Sequence, residues 1–326
     1  MDPIVINVDN PGFFYSLCYI TAFLTAFILL TIEGVRRKFS MLSWWLVMAT
    51  TFLFFMIGSQ LIKWNALDWL QALEYQRLSY WPGRSVLGGI LFFVPALLLA
   101  KRILNFRHNV VDTFAFMFPA GLAIQRVGCL LAGCCHGIPA TLPWSIQYNK
   151  SAPAFQHQFE HGIIAADAEL PLPVHPAQLY DLIGCLAILV ILSMVRKKVK
   201  ATGNLLAISL FLYGFFRLFL EEVKAQAIEP VYYLNAVQIA ILVILPALTF
   251  FIYRRERNAT VSTKEIACTE SPKQLYTYSI GLLMLFLFVS RWMSLFEIIS
   301  FNLVLFPILS YCSWRTYHAF TIPAFR

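Results

Sequence analysis

The chain has 326 residues, of which 59% are hydrophobic and only 13% are charged. Soluble domains carry about 25% charged residues, so this composition excludes an ordinary soluble protein and favours a chain whose solvent is lipid. The formal net charge is +8, but the basic residues stand at the ends of apolar runs. The charge therefore indicates membrane topology rather than nucleic-acid binding.

Seven apolar runs in the first 253 residues predict seven membrane-spanning helices. A spanning helix needs about 20 predominantly apolar residues, and the shorter runs here can each be extended by a few. The first run follows acidic residues and is long for the core of a signal peptide, so we expect a retained helix. The runs cover residues 11–32, 39–62, 86–100, 110–131, 182–195, 204–216 and 231–253.

Two shorter apolar runs, 280–290 and 298–312, follow a polar stretch. They predict a C-terminal hairpin, or alternatively two helices that lie on the membrane surface. The predicted fold class is all-α: a polytopic membrane helix bundle with seven core transmembrane helices plus a C-terminal apolar hairpin. We divide the chain into a membrane domain, residues 1–253, and a cytoplasmic linker with the hairpin, residues 254–326.

Basic clusters predict the orientation of the bundle. Each odd-numbered span ends in such a cluster, and by the positive-inside rule these ends are cytoplasmic, which places the N-terminus outside. The same parity places the loops 63–84 and 137–178 on the outer face; the first is rich in Trp and Tyr, which favour the headgroup level. The cluster residues are Arg36, Arg37, Lys38, Lys101, Arg102, Arg107, Arg196, Lys197, Lys198, Lys200, Arg254, Arg255 and Arg257.

Arg126 lies inside the fourth predicted span and is followed by Gly128, Gly133 and Gly137. A charged residue within a span is costly in lipid and indicates function by default. Glycines permit close backbone approach and local unwinding where protein or water lines the backbone. The alternative is tight helix packing with an arginine that snorkels to the interface.

Tyr213, Arg217 and Glu221 follow one another at intervals of four in the sixth span, so they share one helix face. A structural Arg–Glu pair near the interface is the simpler interpretation. Together with Arg126, however, Arg217 can form a clamp for phosphate, because guanidinium groups bind phosphate oxygens in pairs.

Three cysteines, Cys129, Cys134 and Cys135, cluster beside His136. Their spacing matches no standard zinc pattern, so we predict no metal and no cofactor. A disulfide, reactive thiol chemistry and plain packing of small side chains all remain open for this cluster, although the adjacent Cys134 and Cys135 are poorly placed to pair with each other.

His175, Gln178 and Tyr180 open the fifth span and place a titratable ring, an amide and a phenol at its outer mouth. A single histidine before proline is most often a loop residue. Only its polar neighbours favour a role in a site.

Taken together, these motifs resemble the prolipoprotein diacylglyceryl transferase family, membrane enzymes that move diacylglycerol from phosphatidylglycerol to a lipobox cysteine. Four blocks match in order across residues 11–253. Residues 15–19 (Tyr-Ser-Leu-Cys-Tyr) resemble the family's Tyr-Gly-Leu-Met-Tyr, and 126–128 (Arg-Val-Gly) its Gly-Arg-x-Gly-Asn. Residues 175–180 (His-Pro-Ala-Gln-Leu-Tyr) resemble its Arg-His-Pro-Ser-Gln-Leu-Tyr, and 213–221 its Tyr-Gly-x-x-Arg-x-x-x-Glu.

The chain departs from the family pattern at three places. The family's His-Gly-Gly motif, whose histidine is implicated in catalysis, corresponds to Leu87, Gly88 and Gly89 here. Its signature asparagine in the fourth span corresponds to Cys129. Its Gly-Glu-Leu-x-Gly corresponds to residues 133–137. The resemblance therefore implies a divergent member that keeps the arginines and changes the proposed base.

The resemblance implies an alkyl substitution in which a thiol attacks a glyceryl carbon and glycerol phosphate leaves. Arg126 and Arg217 are expected to hold the phosphate and to favour the thiolate. His136 or His175 is expected to act as base, with His136 our hypothesis for the group that replaces the family histidine. The expected substrate-binding residues are Tyr15, Cys129, Gly137, Gln178, Tyr180, Tyr213 and Glu221.

The expected partners are phosphatidylglycerol, a prolipoprotein acceptor and the membrane, with no nucleic acid. The expected location is the bacterial inner membrane, with several spans and the N-terminus outside the cytoplasm. Two alternatives stay open. One is transfer of a lipid or headgroup piece to another acceptor, through Cys129 or Cys134. The other is a non-catalytic lipid-binding or lipid-transport protein on the same scaffold.

Overall fold

The computed structural model describes residues 3–62, 70, 85–165, 167–225, 235–259 and 272–321. Within these residues it contains ten helices and two three-residue strands, which confirms the predicted all-α class. Two predicted features, the aromatic outer segment 63–84 and the linker that starts at residue 254, lie largely outside the described residues.

Nine of the ten helices in the described residues follow the predicted apolar runs; the short helix Pro153–Glu160 lies in the predicted loop 137–178 and was not expected. Eight helical segments of the described residues are long and apolar enough to cross a membrane, including both of the C-terminal hairpin. Helix α7 is not among the eight; its second half carries Arg217, Glu221 and Glu222. The helices are α1 Pro11–Arg36, α2 Met41–Leu61, α3 Val86–Ile103, α4 Phe114–Ala132, α5 Pro153–Glu160, α6 Ala177–Val195, α7 Asn204–Val223, α8 Ala236–Arg257, α9 Pro272–Val289 and α10 Leu295–Thr321.

Local side-chain chemistry explains where two of the helices begin. Asp112 accepts hydrogen bonds from the backbone N–H groups of Gly203, Leu205 and Leu206, which otherwise have no partner at the start of α7. Asn235 and Gln238 form a reciprocal capping box at the start of α8. Both α7 and α8 therefore begin where polar side chains accept hydrogen bonds from the backbone N–H groups of the first turn.

The chain divides into two compact units. The first unit comprises residues 1–26 and 110–263, and the second comprises residues 27–109 and 264–326. Helix α1 contributes its first part to one unit and its last turns to the other. The division of the chain at residue 253 that we drew from the sequence stays a prediction.

In the first unit, α4 packs against α6 and α7, and α7 packs against α8. Two glycines allow close approach, one of α4 to α1 and the other of α6 to α7. A Cβ added at Gly128 would lie 2.6 Å from the Cβ of Cys18 on α1, and one at Gly184 would lie 2.5 Å from the ring of Phe216 on α7. These glycines let the backbones approach, as small residues do in membrane bundles.

The loop between α4 and α6 is a small folded layer rather than a loose connection. Strand β1 (Ile4–Ile6) pairs in parallel with strand β2 (Ile146–Tyr148), with Ile4 opposite Ile146. Ile146 and Tyr148 of β2 form a buried apolar cluster with Val8, Ala152, Ala154 and Val174. The two strands were not expected from the sequence, and they tie the N-terminal residues to this layer.

In the second unit, α2 packs against α3 through paired glycines. A Cβ added at Gly88 would lie 2.3 Å from the carbonyl oxygen of Gly58, and one at Gly58 would lie 2.5 Å from that of Gly88. Gly88 and Gly58 therefore have no room for a side chain. The Gly-Gly part of the divergent motif thus has a packing role.

The C-terminal hairpin of α9 and α10 packs against α2 within the second unit. The hydroxyl groups of Thr50 and Tyr278 are 2.9 Å apart. The Gln60 amide donates to both carboxylate oxygens of Glu297, at 2.9 and 2.7 Å, and both residues are buried. Polar pairs buried in this way fix the position of the hairpin on α2.

Candidate functional site

Two arginines of the first unit converge on one carboxylate oxygen. Nε of Arg126, on α4, lies 2.6 Å from Oδ2 of Asp181 on α6, and Nη1 of Arg217, on α7, lies 3.4 Å from the same atom. Arg217 also pairs with Glu221 one turn later, and Glu221 accepts a hydrogen bond of 3.0 Å from the Asn235 side chain. Asp181 is only 2% exposed, so this is a buried network.

The four charges of this network balance, which is what burial requires. A guanidinium offers five N–H donors. The contacts above, with the approach of Arg126 Nη1 to Cys129 Sγ at 3.8 Å, use two nitrogens of each arginine. Within the described part of the chain, further N–H donors on both guanidinium groups are therefore available to a phosphate.

The network forms because α4, α6 and α7 are held together at nearby points. The Ser209 hydroxyl on α7 donates to the Ala115 carbonyl on α4 at 2.9 Å. Cys185, one turn after Asp181, directs its thiol to Oδ1 of Asp181 at 3.8 Å. The first contact joins α4 to α7, and the second orients the Asp181 carboxylate within α6.

The three predicted cysteines meet where α4 ends. Gly133 has φ 69° and ends the helix, and Cys135 also has a positive φ of 56°. The turn brings the Sγ atoms of Cys129, Cys134 and Cys135 within 4.8 Å of one another. Hydrogen bonds with the other two thiols, first Cys129 and then Cys134, lower the pKa of the Cys135 thiol well below its usual value.

The turn itself is held by one residue of α6 and one of β2. The Gln178 amide donates to the Cys134 carbonyl at 2.7 Å, and the Tyr148 hydroxyl donates to the Leu130 carbonyl at 3.1 Å. Gln178 therefore supports the backbone of the thiol cluster. Its predicted role in substrate binding stays a prediction.

His136 lies in a pocket of about 170 Å³ that it shares with His157 and His161. Its Nδ1 is 2.9 Å from the Gly137 carbonyl, and because a carbonyl oxygen only accepts, Nδ1 carries the proton and Nε2 is the basic nitrogen. Burial lowers the pKa of His136, and the nearby His157 lowers it further. The ring is therefore neutral near pH 7, with its lone pair on Nε2.

His175 belongs to a hydrogen-bonded chain at the start of α6. The Trp144 indole N–H donates to the Tyr180 hydroxyl at 2.7 Å, and this hydroxyl lies 3.3 Å from Nδ1 of His175. Since the hydroxyl accepts from Trp144, its own proton can go to His175. The predicted ring and phenol are thus adjacent.

The residues of this site lie within a region that matches a known protein family. A family model described as prolipoprotein diacylglyceryl transferase matches residues 3–253. The chain belongs to this family.

Three relatives are named phosphatidylglycerol--prolipoprotein diacylglyceryl transferase. The protein of Dehalococcoides mccartyi is 27% identical over 177 residues, 54% of this chain and 63% of the relative. That of Cupriavidus metallidurans is 28% identical over 195 residues, 56% and 64% of the two chains. That of Cupriavidus pinatubonensis is 33% identical over 138 residues, 41% and 44%. The match thus spans less than two thirds of the length of these relatives.

The structure brings together several of the residues expected from the family resemblance. Arg126, Arg217, Glu221 and Cys129 contact one another directly or through Asp181. Tyr213 is buried one turn before Arg217 and packs edge-on against Phe118. Tyr15 stacks on Tyr19 of the same helix, with ring centroids 6.4 Å apart.

Gly137 lies beside both predicted histidines, following His136 in the chain and contacting His175. A Cβ added at Gly137 would lie 2.5 Å from the Cβ of His175 and 2.4 Å from the Val223 carbonyl oxygen. Gly137 therefore has a backbone role, with its N–H donating to the His175 carbonyl at 2.9 Å. Leu87 belongs to the second unit and His136 to the first, so the replacement of the family histidine by His136 stays a prediction.

Asp181 is the central residue that the sequence analysis missed. An acidic residue in the first turns of an otherwise apolar helix, directly after the His175–Tyr180 block, was the available signal. The same rule that singled out Arg126, a charge in an apolar span, applies to Asp181. Asn235 and Trp144 carried no comparable signal.

Proposed function

We propose that this protein transfers the diacylglyceryl group of phosphatidylglycerol to the cysteine thiol of a prolipoprotein. The observation that carries the proposal is the approach of Arg126 and Arg217 to one oxygen of Asp181 inside a domain of this family. Two arginines held at one point offer converging N–H donors, which suits a phosphodiester headgroup.

In this reaction the acceptor thiol loses its proton and its sulfur attacks the glyceryl carbon that bears the phosphate. A C–S bond forms, the C–O bond to phosphate breaks, and glycerol phosphate leaves. Arg126 and Arg217 stabilise the charge that grows on the leaving phosphate. The thiol proton goes to a histidine, His136 through Nε2 or His175.

The buried charge balance supports a phosphate-binding role. Asp181 and Glu221 together balance both arginines without ligand, and an incoming phosphodiester brings one further negative charge. Lys224, at the end of α7, lies near Arg217 and Glu221 and can balance that charge. Its burial lowers the pKa of its ammonium group.

The proposed location is the bacterial inner membrane with the N-terminus outside the cytoplasm. The basic clusters after α1, α3, α6 and α8 support this orientation. It would put the His136 pocket and the β1–β2 layer on the outer face, where a secreted prolipoprotein is available.

The decisive assay reconstitutes the purified protein in vesicles with phosphatidylglycerol and a lipobox peptide. We expect release of glycerol phosphate in equal amount to peptide that gains a diacylglyceryl group. Glycerol phosphate release without peptide modification would support transfer to another acceptor. Bound lipid with neither product would support a non-catalytic lipid-binding protein, and both results would overturn the proposal.

A further inference from the structure

The thiol cluster at the end of α4 has a geometry that the proposed transfer does not use. Three free thiols, Cys129, Cys134 and Cys135, have their Sγ atoms within 4.8 Å of one another. Only Cys129 is buried; Cys134 is half-buried and Cys135 is exposed. Packing of small apolar side chains therefore does not account for the cluster.

The backbone is arranged to bring these thiols together. Gly133 has a positive φ, and a Cβ there would lie 2.9 Å from the Cβ of Ala152, so only glycine fits. Cys135, which does carry a Cβ, also has a positive φ of 56°, a conformation that costs free energy for any residue except glycine. The Cys134 N–H bonds back to the Cys129 carbonyl at 3.2 Å, which folds the turn over the helix end.

The separations suit sulfur ligands around one ion. A metal–sulfur bond of about 2.3 Å places the sulfur atoms of a three-ligand site about 4 Å apart. Sulfur atoms that already lie within 4.8 Å need only small side-chain movements to reach that arrangement. Thiolates select soft metal ions.

The charges around the cluster favour an anionic metal–thiolate complex. Three thiolates and one monovalent cation carry a net charge of −2. Nη1 of Arg126 lies 3.8 Å from Cys129 Sγ, and both Arg126 and Lys224 attract the Cys135 thiolate. The positive charges of Arg126 and Lys224 offset the negative charge of the complex. They would repel a metal ion if the cysteines were protonated.

We propose that Cys129, Cys134 and Cys135 form a three-thiolate site for a soft metal ion, with copper(I) the best match. In the described part of the chain, the ligand set consists of these three thiols. Copper(I) accepts three sulfur ligands, whereas zinc usually takes a fourth ligand. Binding releases one proton from each thiol that is protonated beforehand, and no electron is transferred.

The test titrates copper(I) into the reduced, full-length protein in detergent, without oxygen, against a chromophoric copper(I) chelator. We expect one copper(I) per chain and an X-ray absorption spectrum with about three sulfur ligands. The variants Cys129→Ser, Cys134→Ser and Cys135→Ser should each lower the affinity at least tenfold. Cys312→Ser, in α10 of the second unit, is the matched control and should bind as the parent does.

Folding is checked separately, since serine in a buried position can destabilise the chain. Cys135→Ser is the most informative variant because Cys135 is exposed, and its thermal unfolding should match that of the parent. Three results would overturn the proposal. They are no bound copper(I), binding that survives in the Cys135→Ser variant, and a disulfide among the three cysteines that resists the reductant used before the titration. None of these results bears on diacylglyceryl transfer.

Discussion

Nε of Arg126 and Oδ2 of Asp181 lie 2.6 Å apart in the interior of the first unit. This contact joins α4 to α6, and the same oxygen also receives Arg217 from α7. Asp181 thus determines where both guanidinium groups point, although it carries no expected role in the transfer itself.

Replacing Asp181 by asparagine should lower both stability and transfer. The change keeps the size of the side chain but leaves the buried Arg126 and the half-buried Arg217 without their shared counter-charge, which costs about 3–5 kcal/mol of unfolding free energy. Thermal unfolding and the vesicle assay measure the two effects. The matched control is Asp112→Asn, which weakens the cap of α7 and should leave turnover per folded molecule unchanged. Equal turnover in both variants would contradict the assigned role of Asp181.

Replacing Arg217 by lysine should lower kcat/KM for phosphatidylglycerol by about 100-fold or more, as loss of one stabilising donor does. A lysine keeps the charge but cannot contact Asp181 and Glu221 with separate nitrogens of a planar group. Arg254→Lys, at the end of α8, serves as control and should keep full activity. An Arg217→Lys variant with the kcat/KM of the parent would exclude a bidentate contact between Arg217 and the phosphate.

The two candidate bases can be separated by variants of His136 and His175. If His136 accepts the thiol proton, His136→Ala should abolish transfer while membrane insertion survives, and His175→Ala should keep measurable turnover. The neutral ring of His136, with Nε2 as its basic nitrogen, supports this order. Product formation by each variant, normalised to inserted protein, gives the answer. Full activity of His136→Ala would end that hypothesis and leave His175 as the base.

The buried state of His136 predicts a pH dependence of stability. Its pKa is lowered in the folded protein, mainly by burial, so the unfolded chain binds a proton more readily. The contribution of the neutral ring is therefore complete above about pH 6.5 and is lost as the pH falls through the lowered pKa. Unfolding in detergent at several pH values should show this loss. It should disappear in His136→Gln and persist in His161→Gln, where the side chain is exposed.

Replacing Gly88 by alanine should destabilise the second unit by about 1–3 kcal/mol, because the new Cβ would lie 2.3 Å from the Gly58 carbonyl oxygen. Gly281→Ala, in α9, is the matched control: nothing lies within 4 Å of its Cβ, and alanine favours helix. Thermal unfolding of both variants tests the pair. A Gly88→Ala variant as stable as Gly281→Ala would contradict the close contact of α2 and α3.

The sequence predicts the helices and the arginines because both signals are local. Long apolar runs indicate spans, and charges such as Arg126 stand out within them. The four-residue spacing of Tyr213, Arg217 and Glu221 is likewise local. These features require no knowledge of which helices meet.

The partners of these residues depend on packing and were therefore missed. Asp181 and Arg217 are 36 positions apart and meet only because α6 and α7 pack at Gly184. The close approach of the three thiols depends on the positive φ of Cys135, which no propensity favours. The two short strands pair residues more than 140 positions apart, and neither is long enough to show an alternating pattern.

The buried contact between Gln60 and Glu297 also constrains the timing of assembly. The two residues are 237 positions apart, and synthesis proceeds at about 5–20 residues per second, so Glu297 emerges roughly 10–50 s after Gln60. During that interval the amide of Gln60 is in the membrane before its acceptor has been made. The second unit can thus reach its final packing only after α10 has been synthesised.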